Sequence, residues 1–167
     1  MIINQLATPK RLEALANEQL AISLWSSYFP NYAYVETPKE TYAVVDAILC
    51  VENRVKAVVE TKARQFTLVD LRNKYDNKWL VTKDKLIKSA AIADAMCVPL
   101  VGFLYLVPDD ALVYRELWKP EKGWVCKREV QNTKTPKHIN GGGDVIRANA
   151  FIDMSDAKVL RRKVNGP

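Results

Sequence analysis

The chain has 167 residues, 49% of them hydrophobic and 26% charged, which excludes a disordered or low-complexity protein. That length suffices for one domain with its own core, without disulfide or metal staples. Lys and Arg number 25 against 19 Asp and Glu, and the resulting +6 suits a polyanionic partner without requiring one.

Thr8 and Pro9 read as an N-cap followed by proline at the first helical position, and predict a helix to about Ser27. Its apolar stripe is Leu12, Leu15, Ile22 and Trp25, with Ala16 and Phe29 alongside, and Glu18 falls on the stripe. Pro30 and Asn31 break it. A short strand is expected from Tyr32 to Thr37. Two runs rich in β-branched residues follow, Tyr42 to Val51 and Val55 to Ala63, joined by a turn at residues 52–54. Phe66 to Leu80 is polar and amphipathic and predicts a helix or helical turn. Lys83 to Met96 predicts a second helix with Leu86, Ala90, Ala93 and Cys97 inward. Val98 to Val107 is apolar throughout, as a buried central strand would be. A turn at Pro108 to Asp110 leads to a strand from Ala111 to Leu117. Beyond Trp118, turn-formers and basic residues dominate, with a last strand around Val145 to Ile152. This order implies a mixed sheet covered by helices, an α/β or α+β sandwich.

Three widely spaced cysteines with no CxxC pair exclude a zinc ribbon and a disulfide framework. Cys50 and Cys97 lie in apolar runs and are expected as buried thiols in a reducing cytosol. Residues 1–10 lack the pattern of a signal peptide, and no apolar run reaches membrane-spanning length, so the expected location is cytoplasmic, with no membrane partner.

Two carboxylates interrupt the apolar strands. Asp46 is flanked by Val44, Val45, Ala47 and Ile48, and Glu60 follows Val58 and Val59. Both lie seven residues from Asn53, so a hairpin about that residue makes them cross-strand neighbours. Directly opposite Cβ atoms stand about 4.5–5.5 Å apart. A shift of one residue in the turn would set them diagonally instead. Alternation places Lys62 on the face of Glu60. Two like charges at that spacing raise each other's pKa unless a cation intervenes. Lys62 supplies part of that charge, and a hard divalent cation, bound by one or two carboxylates plus water and phosphate, supplies it better.

Asp46, thirteen intervening residues, then Glu60-Thr61-Lys62, preceded by a helix bearing Glu18, resembles the PD-(D/E)XK nuclease superfamily of restriction endonucleases, junction resolvases and phage or repair nucleases. Val45 stands where the motif's name has proline. The resemblance covers about residues 8–117 and implies a restriction endonuclease-like α-β-β-β-α-β core at 1–117. A basic extension at 118–167 would pack on or beside it. It further implies a nuclease that hydrolyses DNA phosphodiester bonds, a structure-selective endonuclease or junction resolvase acting as a homodimer in a bacterial, archaeal or phage-infected cell. Asp46 and Glu60 would bind Mg²⁺, with Mn²⁺ as a substitute. Lys62 would be the catalytic lysine and Glu18 an accessory catalytic group and ligand. The segment Trp79 to Leu86 resembles the start of the second core helix in several such nucleases, where a lysine, here Lys85, approaches the site.

Lys83, Lys85, Lys134, Lys137 and Arg147 are the candidate DNA contacts. Trp118 and Trp124 read first as packing residues, and His138 as a surface histidine. Asn140-Gly141-Gly142-Gly143 lacks the Lys-Ser/Thr of a phosphate-binding loop, so no nucleotide cofactor is expected. The alternatives are a type II restriction-like, sequence-specific endonuclease and a non-catalytic nucleic-acid-binding module on a nuclease-like scaffold.

Overall fold

The computed structural model describes residues 9–38, 43–136 and 143–162. Helix α1 (Pro9–Tyr28) starts at its proline. Strands β1 (Ala33–Glu36), β2 (Ala47–Val51) and β3 (Arg54–Arg64) follow, then a short helix α2 (Leu68–Asn73) and strand β4 (Lys78–Thr82). Helix α3 (Lys83–Ala95) leads into β5 (Leu100–Leu106), every residue of which is buried. The chain continues as β6 (Ala111–Lys119), β7 (Gly123–Trp124), β8 (Arg128–Pro136), β9 (Asp144–Asp153) and β10 (Lys158–Arg161).

The main sheet runs β1-β2-β3-β5-β6-β10, with β7 paired to β6. Only β3 and β5 are parallel; the other pairs are antiparallel, so the sheet is mixed and the class is α/β. A second sheet has the order β4-β9-β8. Alternation along β3 divides the interior into two cores. Val58 faces Leu100, Leu104, Leu86, Ala90 and Trp79, under α3 and the second sheet. Ala57 and Val59 face Phe103, Ala21, Leu24 and Trp25, under α1.

Several elements differ from the sequence reading. The buried residues of α1 are Ala21, Leu24 and Trp25, whereas Leu12 is 55% exposed. Among the described residues, the helix packs on the sheet through its second half. The stretch Phe66 to Leu80 is only one helical turn and a half before it becomes β4. Asp76 and Asn77, both at positive φ, end the helical path, and Trp79 and Val81 alternate inward as strand residues. Thr67 caps α2 through a reciprocal capping box with Asp70. Cys97 is exposed because it takes the left-handed position just past α3 (φ 53°); Cys50 is half-buried, and Cys126 is the buried thiol. Asp144–Asp153 forms the strand expected around Val145 to Ile152, but it is not the last, since β10 follows; β8 beside it was hidden by its polar composition, since a strand exposed along most of its length carries no apolar alternation. The last third is interlocked with the rest: β9 pairs with β4 and β10 with β6. Trp118 and Trp124 pair across β6 and β7 and pack against the core, and the Arg128 guanidinium lies 4.2 Å from the Trp124 ring centre. Among the described residues no helix is long and apolar enough to cross a membrane.

Gly102, opposite Glu60 in the parallel pair, allows Trp79 to lie on the sheet. A Cβ there would fall 2.6 Å from Trp79 Cζ3 and 3.0 Å from a Leu117 methyl, both on buried side chains. Gly102→Ala is therefore expected to destabilise the fold by about 1–3 kcal/mol, the usual cost of overpacking, read as a lower urea midpoint with unchanged slope.

Candidate active site

The hairpin β2–β3 sets the site. Glu52 and Asn53 form a two-residue turn, both at positive φ (49° and 61°), the geometry that suits the twist of a hairpin. From such a turn alone, Val51 pairs with Arg54 and Cys50 with Val55, a register that would set Asp46 against Val59. A bulge corrects it. Leu49 pairs with Ala57, which leaves Lys56 as the extra residue, and Ala47 then pairs with Val59. The paired residues end there, and Asp46, the next residue out, brings its carboxylate to the same two lysines as Glu60.

Asp46 sits one residue before β2 and is held on every side. Its amide donates to the Val59 carbonyl (3.2 Å), and its carbonyl accepts from the Thr37 amide (3.0 Å). The Thr37 hydroxyl donates to the Val45 carbonyl, and the Ser89 hydroxyl of α3 to that of Val44. The Asp46 side chain turns back to the ladder: Oδ2 accepts from the Thr61 amide at 2.8 Å, a donor that β2, beginning only at residue 47, leaves without a strand carbonyl.

Glu60 is fully buried. Two ammonium groups stand over the pair. Lys85 Nζ, from the first turn of α3, donates to Asp46 Oδ1 at 2.7 Å and lies 3.0 Å from Glu60 Oε1. Lys62 Nζ lies 3.4 Å from Glu60 Oε1 and 4.0 Å from Asp46 Oδ2. The Lys85 hydrogen bond is aligned on Asp46, so Glu60 is held by charge, and neither of its oxygens has an aligned hydrogen-bond partner. Both lysines keep about a third of their side chains exposed (31% for Lys62, 28% for Lys85), which makes them the side of the cluster that solvent reaches.

These surroundings drive the two acids apart. Burial pushes Glu60 above the usual carboxylate range, against the attraction of Lys62, and the neighbouring Asp46 charge adds to the rise. Burial also acts to raise Asp46, but Lys62, Lys85 and the Thr61 amide outweigh it and hold the group below its ordinary value. Lys85 loses some basicity to burial and regains more from Glu60 and Asp46, so it is held well above the ordinary lysine value. One acid that ionises readily and one that resists, side by side, is an arrangement characteristic of catalytic carboxylate pairs.

Glu18 does not join this cluster. It lies on α1, over the opposite face of the main sheet, where its charge acts on Tyr34. The Tyr34 hydroxyl is 2.9 Å from the Thr61 hydroxyl, so Glu18 stands behind the site, across the sheet from Glu60. Lys83 starts α3 outside the ion-pair cluster. Lys134 on β8 and Arg147 on β9 belong to the second sheet, and alternation turns them to opposite faces of their hairpin (Lys134 pairs with Ile146, and Thr133 with Arg147). Lys137 and His138 lie outside the described residues. The sequence reading missed the contribution of Thr61 and Ser89, whose hydrogen bonds to the Asp46 segment carry no pattern along the chain.

Could the pair hold a metal? Among the described residues no three His, Cys, Asp or Glu side chains converge on one point. Two carboxylates are nevertheless enough for Mg²⁺, which keeps several waters and draws other oxygens from its substrate. The donor set, all hard oxygen, fits such an ion.

The opposed shifts have opposite signatures in stability. A raised carboxyl favours the protonated fold, so Glu60 takes stability away as pH climbs from its unfolded value near ~4.3 through the raised folded one. A lowered carboxyl does the reverse: Asp46 adds stability above its unfolded value near ~3.9, lost as pH falls through the folded one. In calorimetry from pH 3 to 8, Glu60→Gln should gain in Tm relative to the native chain as pH rises, and Asp46→Asn should lose. Parallel curves for all three proteins would contradict the assignment. No family model, curated protein or solved structure matches the chain, so the chemistry of the site stands on these residues alone.

Proposed function

We propose that the chain is a metal-dependent nuclease of the PD-(D/E)XK kind, which hydrolyses DNA phosphodiester bonds at the Asp46–Glu60 pair. The observation that carries this reading is the fully buried carboxylate of Glu60 beside Asp46, the two faced by the same two lysines. A buried cluster of charges is costly to the fold and adds little to its stability, which favours a functional role for it. The element order α1, β1, β2, β3, α3, β5, interrupted by α2 and β4, supports the same reading.

Asp46 and Glu60 would hold Mg²⁺, or Mn²⁺ in its place. When bound, that ion polarises the phosphodiester and lowers the pKa of water. The chain's own groups do the rest. Lys85 keeps its proton at neutral pH and acts as a fixed positive charge beside the reacting phosphate, where such charges are strongest because water is scarce. Lys62 borders both carboxylates from the solvent side and is placed to orient the attacking water. Thr61 and Ser89 fix the segment of Asp46 so that the pair keeps its spacing. A net charge of +6, with Lys134 and Arg147 on the second sheet, would draw in a nucleic-acid backbone. As a structure-selective endonuclease or junction resolvase, the protein would cut two strands through a symmetric dimer with two such sites.

Cleavage of labelled single strand, duplex, flap, fork and four-way junction, with Mg²⁺, Mn²⁺ or chelator, tests the proposal. Metal-dependent cutting is expected, strongest on branched substrates. Asp46→Ala, Glu60→Ala, Lys62→Ala and Lys85→Ala should each lower the rate by ~100-fold or more, the order lost with one positioned charge-stabilising group. Folded protein that cuts none of these substrates and takes up no Mn²⁺ would overturn the reading.

A further inference from the structure

The other face of the main sheet carries a second chemical environment. Beside α1, toward the starts of β3 and β5 and the end of β6, lies a cavity of about 530 Å³. Its inner surface is apolar, built from Leu49, Ala57 and Val101. Trp25 forms one wall, and Tyr32 and Tyr114 stand nearly perpendicular to it, at 80° and 84°, with ring centres 5.9 and 5.1 Å away. These belong to the α1 core, whereas Glu60 lies in the row of Val58 on the opposite face, so the cavity is separate from the Asp46–Glu60 site.

Its rim is cationic. Lys56, Arg115, Lys119, Lys122 and Lys158 line it against two carboxylates, Glu116 and Asp156. Lys119 is ion-paired with Glu116, and Arg115 is engaged with the carbonyls of Val125 and Asp153. Lys56, Lys122 and Lys158 are exposed and make no ion pair or hydrogen bond among the described residues. Nor do the hydroxyls of Tyr32 and Tyr114. Lys56 is the bulged residue of β3, so the irregularity in the β2–β3 pairing adds a cation to this rim.

Aromatic walls, free hydroxyls and unpaired lysines around one cavity match a ligand with a planar ring, polar edges and a nearby anion. The volume falls within the range of small-ligand and cofactor sites. We propose that this cavity binds a nucleotide, its base against Tyr32 and Tyr114 and its phosphate on Lys56, Lys122 and Lys158. The nucleotide is either free or an unpaired residue of a nucleic-acid strand, since both present the same ring and phosphate.

The test is equilibrium binding in chelator, which keeps any metal-dependent cleavage out of the readout and leaves the nuclease proposal untouched by either result. The probes are adenosine 5′-monophosphate, adenosine, inorganic phosphate, a single-stranded oligonucleotide and a duplex. The nucleotide or the single strand is expected to bind more tightly than adenosine or phosphate, with affinity falling as salt rises. The triple charge reversal Lys56→Glu, Lys122→Glu, Lys158→Glu should weaken that binding at least tenfold. Tyr32→Ser should weaken base-bearing probes and leave phosphate unchanged. Tight binding of the free nucleotide assigns that source, and binding of the single strand alone assigns the strand. Inorganic phosphate binding as tightly as the nucleotide, or wild-type affinity in the triple variant, would overturn the proposal.

Discussion

A carboxylate with no water, in the middle of a sheet, constrains everything around it. Glu60 is fully buried on β3, between β2 and β5, and Asp46 shares its two lysines. Ionised acids in such a place need cations within reach, because the low-dielectric interior withholds the solvation they would have in water. The fold provides two, from different elements. Lys62 comes from the strand of Glu60 itself, two residues on, and Lys85 from the first turn of α3. The charges balance two against two, yet the hydrogen bonds do not: Asp46 receives the aligned donors and Glu60 receives none. That imbalance keeps Glu60 hard to ionise and Asp46 easy.

The scaffold's irregular features gather around this pair. A bulge at Lys56 sets the register, and β2 begins only at Ala47 so that the Asp46 side chain, rather than a strand carbonyl, meets the Thr61 amide. Gly102 keeps the neighbouring strand bare at the level of Glu60, and Trp79 fills the space. The helix that delivers Lys85 also donates from Ser89 to the Val44 carbonyl, so one rigid element fixes both the cation and the segment it neutralises. Departures from regular geometry concentrated at one point, with regular packing elsewhere, are what a functional site asks of a fold.

The elements with strong periodicity were legible in the sequence. Val98 to Val107 is apolar on both faces and became the buried β5, and Pro9 marked the start of α1. Asp46, Glu60 and Lys62 stood out because a charge in an apolar strand conflicts with its neighbours, and counting from Asn53 set the acids opposite one another. The β2–β3 pairing itself depends on two features, a two-residue turn and a one-residue bulge, neither visible in the pattern. What could not be read is equally specific. The face of α1 depends on which half of the helix covers the sheet, so Glu18 seemed to join the site and instead stands behind it. The strand β4 hid in a polar stretch because its partner, β9, lies about 70 residues further on. No local signal reports a pairing that distant.

The alternation that separates Glu60 from Val59 also separates two kinds of chemistry. Residues 58, 60 and 62 point toward α3 and carry Glu60 and Lys62; residues 57 and 59 point toward α1 and support an aromatic cavity rimmed by lysines. Because a strand's period is two, neither row can be altered by a shift in register without exchanging both. Deleting Lys56 would restore a plain two-residue hairpin and keep Ala47 paired with Val59, while withdrawing a cation from the cavity. The bulge absorbs one extra residue of β3 and gives its lysine to the basic rim, and the register on the acid-bearing face is kept.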